Sequence, residues 1–347
     1  MNHPQDNLSL PEAKNKSFLK KLLSNTLLFV FIILFVKGFS MVFGQENTLV
    51  GVAAVIGLLV FLTENLMDRP FANGARLFML SQFLGISAFL SSNYPYAGIG
   101  FNFLALFVTG YALSYKMDKV LIIPFGLQYL FMLYTPVSAQ QLPMRLLALG
   151  CGIILIMLVQ LLVNRNKPSH QPLFAHVRTN DDHVTKLRLA NKELTLHYTR
   201  AAYALRIGIV TAVAAFLVFY FQIPQGRWIV YTVFSLTELY SENCLSRSKE
   251  RLEGSIIGVL IIIVLFFFIK DNTLRGLLVL AGGYMDTFTN SYRQKMICVT
   301  ISVVASISII EGTAMTAVYR IGCVLAGIVL AVIADKLILR RSHKEIL

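Results

Sequence analysis

Long apolar runs recur from one end of this chain to the other, among them Thr26–Val36, Val50–Leu62 and Ile256–Ile269. Lipid offers the backbone no hydrogen-bond partner, so a segment that crosses it is a helix of about 20 mainly apolar residues. Of the 347 residues, 56% are hydrophobic and 14% charged, against about 45–50% and about 25% in an ordinary soluble domain. One buried core helix cannot account for so many runs. The pattern predicts an all-α, multi-pass membrane protein of about twelve transmembrane helices. Spans fall near 22–43, 47–66, 75–92, 97–115, 119–136 and 143–163, and again near 203–222, 227–241, 252–269, 273–288, 295–311 and 315–338. The eighth holds Thr232, Thr237 and Glu238, and the tenth holds Gly282-Gly283 and Asp286. These two are the candidates for short, broken or re-entrant segments, which leaves a count of about ten to twelve.

The net charge of +13 follows from topology rather than from nucleic acid. With both termini in the cytoplasm, 25 of the 31 Lys and Arg residues face the cytoplasmic side, as the positive-inside rule expects for a protein of the cell membrane. The lipid bilayer is therefore the first partner, and no nucleic-acid partner is expected. A homo-oligomer is compatible with the sequence. Residues 1–21 are polar, mix acids with bases and lack a small-residue cleavage site, so no cleaved signal peptide is expected. The cysteines Cys151, Cys244, Cys298 and Cys323 form no C-x-x-C pair. They read as small packing residues rather than metal or redox groups, and no cofactor is expected.

Spans 1–6 and 7–12 have the character of two copies of one unit. Leu62-Thr63-Glu64 returns as Leu236-Thr237-Glu238, Arg76 as Arg251 and Arg145 as Arg320, at offsets of 174, 175 and 175 residues. An even number of spans per copy makes the repeat parallel, and repeats of transporters commonly place the pathway between the halves. The layout is then a cytoplasmic tail (1–21), a first six-span repeat (22–163), a cytoplasmic linker (164–202), a second repeat (203–338) and a tail (339–347). In the linker, Asp181-Asp182 offers a cap, and Val184, Leu187, Leu189, Leu194 and Leu196 alternate with Lys186, Arg188 and Lys192. That suggests an amphipathic helix on the inner membrane surface.

No phosphate-binding loop, zinc-protease motif or nucleophile elbow occurs, so the expectation is not an enzyme. One pattern does recur: an Arg, seven residues before a Gly, with a small residue between. It opens span 6 (Arg145, Ala148, Gly152), span 9 (Arg251, Gly254, Ser255, Gly258) and span 12 (Arg320, Cys323, Gly327). Small residues three or four apart share a helical face and let a neighbouring helix approach. On the same stripe, Arg76 and Arg251 would stand at the inner mouth and Arg145 and Arg320 at the outer mouth. Such arginines either snorkel and mark topology or attract anions to a pathway.

The segment Gly226-Arg227-Trp228-Ile229-Val230-Tyr231-Thr232, followed by Arg247-Ser248-Lys249-Glu250-Arg251-Leu252-Glu253-Gly254-Ser255 and Gly258, resembles the fusaric acid resistance or aromatic acid exporter family. So does the last span, from Arg320 through Gly327. The resemblance covers about 200–340 and is only architectural over 20–163. It implies gradient-driven export of aromatic carboxylic acids or related anions, with Arg251 and Arg320 facing the pathway. Three features depart from the family pattern. Ser255 stands where the family has Thr, Ala53-Ala54 where the first repeat would have the Trp, and Phe83 where a Gly would follow Arg76.

Trp228 fits an interfacial anchor or a stacking surface for substrate. Glu64 and Glu238 fit hydrated carboxylates or proton-coupling sites. The sequence thus points first to a secondary transporter exporting small organic anions. Arg251, Arg320, Arg76, Arg145, Trp228, Thr232 and Ser255 would line its pathway. An anion channel built from the same residues and a non-transporting envelope scaffold are the alternatives.

Overall fold

A computed structural model describes residues 10–115, 119–165, 184–189, 192–239, 242–311 and 313–337. They form twelve helices and one hairpin. The helices are α1 (Leu10–Phe43), α2 (Thr48–Phe61), α3 (Pro70–Asn93), α4 (Pro95–Leu113), α5 (Ile122–Tyr134) and α6 (Leu142–Asn164). After the strands β1 (Val184–Leu189) and β2 (Lys192–His197) come α7 (Tyr198–Tyr220), α8 (Arg227–Leu236), α9 (Glu242–Phe268), α10 (Asn272–Asp286), α11 (Tyr292–Glu311) and α12 (Thr313–Leu337). Pro70 and Pro95 open α3 and α4, where a missing N–H costs nothing.

Seven helices are long and apolar enough to cross a membrane: Leu19–Phe43, Pro70–Asn93, Pro95–Leu113, Leu142–Asn164, Tyr198–Tyr220, Cys244–Phe268 and Met315–Leu337. The chain is a multi-pass membrane protein. Among the others α2, α5, α8 and α10 are shorter, and α8 has ten residues. At 1.5 Å per residue it is about 15 Å long, half of a hydrocarbon layer about 30 Å thick.

The helices gather into two compact units. One comprises Met1–Phe35 and Glu253–Ala317, the other Val36–Leu252 and Val318–Leu347. In the first, α10 packs along α11, and a Cβ on Gly282 would lie 2.9 Å from the Cys298 carbonyl. Thr26 of α1 meets the Tyr284 hydroxyl at 2.8 Å. In the second, α4 lies along α7, and the approach is close because Gly110 faces Ala204 and Gly208 faces Phe103. Helices α2, α3, α5 and α6 pack on one another beside them.

One expectation needs correction. The fold is all-α apart from one β-hairpin, and the described part of the linker is not an amphipathic helix. β1 and β2 are antiparallel, with Thr185 opposite Leu196 and Leu187 opposite Leu194. Leu187-Arg188-Leu189 and Leu194-Thr195-Leu196 alternate with period two, the period of a strand. Residues 181–182, the expected cap, lie outside the described residues. At the start, α1 begins at Leu10, so the helix that carries the first expected span extends back into the segment 1–21, where Ala13, Lys14 and Lys16 are good helix formers.

Candidate functional site

The last carbonyls of a helix have no partner within it and need donors from elsewhere where water does not reach them. At the C-terminal end of α8 the donors are cations. The Lys119 ammonium, in the segment between α4 and α5, donates to the carbonyls of Phe234 (2.9 Å), Ser235 (2.8 Å) and Thr237 (2.8 Å). Arg206 of α7 donates to the carbonyls of Glu238 and Leu239. Both cations are buried, at 5% and 3% exposure. The partial negative charge of a helix C-terminus favours them there.

Carboxylates complete this cluster. Glu238 Oε1 lies 3.4 Å from Lys119 Nζ and accepts from Arg247 of α9, and Asp335 of α12 lies 3.4 Å from Arg206. Glu238 is itself buried.

Further up α8, residues 228, 232 and 235 share one face by their spacing of four and three. Arg320 of α12 lies over the Trp228 ring, 4.0 Å from its centre. Arg251 of α9 donates from Nε to Thr232 Oγ1 and from Nη1 to Ser235 Oγ, both at 3.1 Å. Arg251 and Arg320 are 6% and 2% exposed. On α8 both meet neutral groups, an indole and two hydroxyls. A Cβ on Gly327 would stand 2.7 Å from Thr232 Cβ and 2.9 Å from the Ile229 carbonyl. Glycine therefore sets the approach of α12 to α8. An aromatic group adjoins them: Tyr231 is edge-on to Trp228 at 5.3 Å, and to Phe131 and Tyr134 of α5 at 5.8 Å each.

The structure thus brings together Arg251, Arg320, Trp228 and Thr232 on α8, with Glu238 just beyond its end. The other expected residues lie elsewhere. Arg145 is buried on α6 and donates to Asn47 Oδ1 (3.0 Å) and the carbonyls of Thr135 (2.6 Å) and Glu46 (2.7 Å). Arg76 is exposed. Ser255 is buried at 1% exposure, and its neighbours Gly254 and Gly258 pack against α11. Glu64 is half-buried, and its carboxylate accepts from the Tyr115 hydroxyl at 3.4 Å.

The Leu-Thr-Glu segments occupy like places. One follows the end of α2 at Phe61, the other overlaps the end of α8 at Leu236. Their donors differ. The carbonyls of Phe61 and Glu64 are taken by the neutral amides of Gln160 and Asn164, whereas those around Glu238 are taken by Lys119 and Arg206. Where α8 presents Trp228, α2 has Ala53 and Ala54, which line a small gap with Pro124, Gln128 and Gly152.

Lys119, Arg206, Arg247 and Asp335 were not among the site residues expected from sequence. Arg206 carries a signal, a charge between Leu205 and Ile207 in an apolar run. Lys119 carries none, because its partners are backbone carbonyls more than a hundred residues away.

Residues 200–334 match the model of the Fusaric acid resistance protein-like family. The match takes in Arg206, Trp228, Thr232, Glu238, Arg251 and Arg320, and leaves Lys119 outside. No curated protein and no solved structure matches the chain.

Proposed function

We propose that this protein is a secondary transporter that exports small organic anions, aromatic carboxylates foremost, across the cytoplasmic membrane. One observation carries the reading: two nearly fully buried arginines, Arg251 and Arg320, converge on one face of the half-length helix α8. A carboxylate can accept charge-assisted hydrogen bonds from guanidinium groups. Trp228 adds a ring face and Thr232 a hydroxyl. Half-helices in transporters commonly border the substrate site. The likeness of residues 200–334 to a family described by resistance to an acid supports efflux.

On this reading the twelve helices are twelve spans in two parallel six-span copies, both termini are cytoplasmic, and the second copy carries the anion site. The shared places of the two Leu-Thr-Glu segments, and the offset of 175 between Arg145 and Arg320, support the repeat. Arg145 and Arg76 would then shape the two mouths of the pathway rather than the site on α8.

The test is uptake of an aromatic carboxylate into proteoliposomes with and without an imposed pH gradient, for wild type and Arg251→Ala/Arg320→Ala. Gradient-driven accumulation that the double variant loses is expected. Flux indifferent to the gradient would instead mark a channel, and no flux from folded wild type would sink the transport reading.

A further inference from the structure

The turn that feeds α8 holds two residues in a conformation that favours glycine. Gln222 and Gln225 have φ of 47° and 52°, in the left-handed region that a Cβ makes unfavourable. Gln222 has a backbone reason to be there. It follows the end of α7, and the next amide, of Ile223, donates to the Val218 carbonyl at 3.1 Å, a left-handed stop to a helix. The residue is exposed, and its amide returns to α7 on the Phe219 carbonyl.

Gln225 is different. Residues Ile223 to Gly226 form a turn closed by the Gly226 N–H on the Ile223 carbonyl at 3.0 Å. Pro224 is second and Gln225 third, the place where a positive φ calls for Gly or Asn. The glycine of this turn stands one residue later. Gly226 has φ of −58°, and a Cβ there would collide with Val218. Packing thus accounts for Gly226, while the backbone gives no reason for a glutamine at 225.

What Gln225 supplies is its side chain. Its amide oxygen accepts from the Trp228 indole N–H at 3.3 Å, and its carbonyl accepts from the Trp228 backbone N–H at 3.1 Å. An indole N–H can only donate, so the amide must present its oxygen. The indole held in this way has Arg320 at 4.0 Å and Arg227 at 5.7 Å from its ring, with Tyr231 edge-on. A cation rests on the face of an aromatic ring, so the orientation of the indole decides where the Arg320 guanidinium lies.

We infer that Gln225 is a positioning residue of the anion site: it fixes the Trp228 indole, and through it Arg320, in the orientation that receives a carboxylate. The inference rests on the anion-transport reading above. Strained backbone persists at sites where it serves function, and a preset orientation spares the ordering cost of binding.

Trp228 is the chain's single tryptophan, so emission from the full-length protein in detergent micelles reports its surroundings with and without ligand. The probe is benzoate. Gln225→Gly relieves the backbone and removes the acceptor. Its thermal midpoint should be at or above that of wild type, while the ligand-free emission shifts and the Kd for benzoate rises several-fold. In proteoliposomes its KM should rise by a like factor with the maximal rate kept. Gln222→Gly relieves the same kind of strain and should leave emission and Kd at wild-type values. Gln225→Asn suits the turn but draws the amide back by one methylene, and should repeat the emission and Kd changes. Wild-type emission and Kd in either Gln225 variant overturns the inference and leaves the anion site standing. So does a midpoint lowered in both, the mark of a residue kept for stability, or a Gln222→Gly that changes emission and Kd as much. If one Gln225 variant does not fold, the other decides. Absence of saturable benzoate binding by wild type removes the anion reading and this inference with it, whatever the ligand-free emissions show.

Discussion

Arg145 and Arg320 open the same short motif, yet their recorded contacts differ in kind. Arg145 spends its donors on one side-chain amide and two backbone carbonyls, which ties α6 to the turn between α1 and α2. Arg320 lies on an indole ring. Replacing Arg145 by Ala leaves buried acceptors without donors, at about 1–3 kcal/mol for each. A thermal midpoint several degrees below wild type is expected, with Trp228 emission unmoved; an unchanged midpoint would refute this structural role. Arg320→Ala should do the reverse, shifting the emission and weakening anion binding. At this scale spacing singled out Arg251 and Arg320 and the family resemblance singled out Trp228 and Thr232, and the structure brings these four together at α8. The sequence was silent on Lys119, since a carbonyl is present at every residue and marks no partner.

The element that organises the second half is α8, ten residues with a cationic grip on its last turn. Its brevity follows from its composition: Thr232, Ser235 and Thr237 interrupt the apolar run, and their hydroxyls need partners in the fold. The span's weakness was visible in the sequence, but the donors at its end were not. Packing on α8 gives a second prediction, from two glycines of α12. Gly327→Ala would force α12 off the Ile229 carbonyl and Thr232, at about 1–3 kcal/mol, and would lower anion flux because Thr232 holds Arg251. Gly322 has nothing within 4 Å of a Cβ, so Gly322→Ala should be neutral or gain up to about 1 kcal/mol of helix propensity. Thermal unfolding of the two variants separates the cases, and equal midpoints would contradict the packing described. The linker shows where periodicity misleads. Five apolar residues spread over Val184–Leu196 suit a helical face loosely, but each run of Leu-x-Leu is a strand signal, and the strand signal prevailed.

For the whole molecule, the described residues form twelve α-helices, of which seven are long and apolar enough to cross a membrane. Of the others, α2, α5, α8 and α10 have 14, 13, 10 and 15 residues and α11 has 20. The proposed twelve-span topology places both termini on one side. Reporter fusions at the two ends should both be active in the cytoplasm, and opposite locations would require an odd count. The halves share the placement of their Leu-Thr-Glu segments but not their chemistry: neutral amides serve one, buried cations the other. On the proposed reading, that asymmetry leaves structure to the first half and the anion to the second. The most direct test of this central claim is a titration of Trp228 emission with an aromatic carboxylate and with the matching neutral amide. A saturable change with the carboxylate alone, lost in Arg251→Ala/Arg320→Ala, is the predicted result. No change, or the same change with the amide, would contradict it.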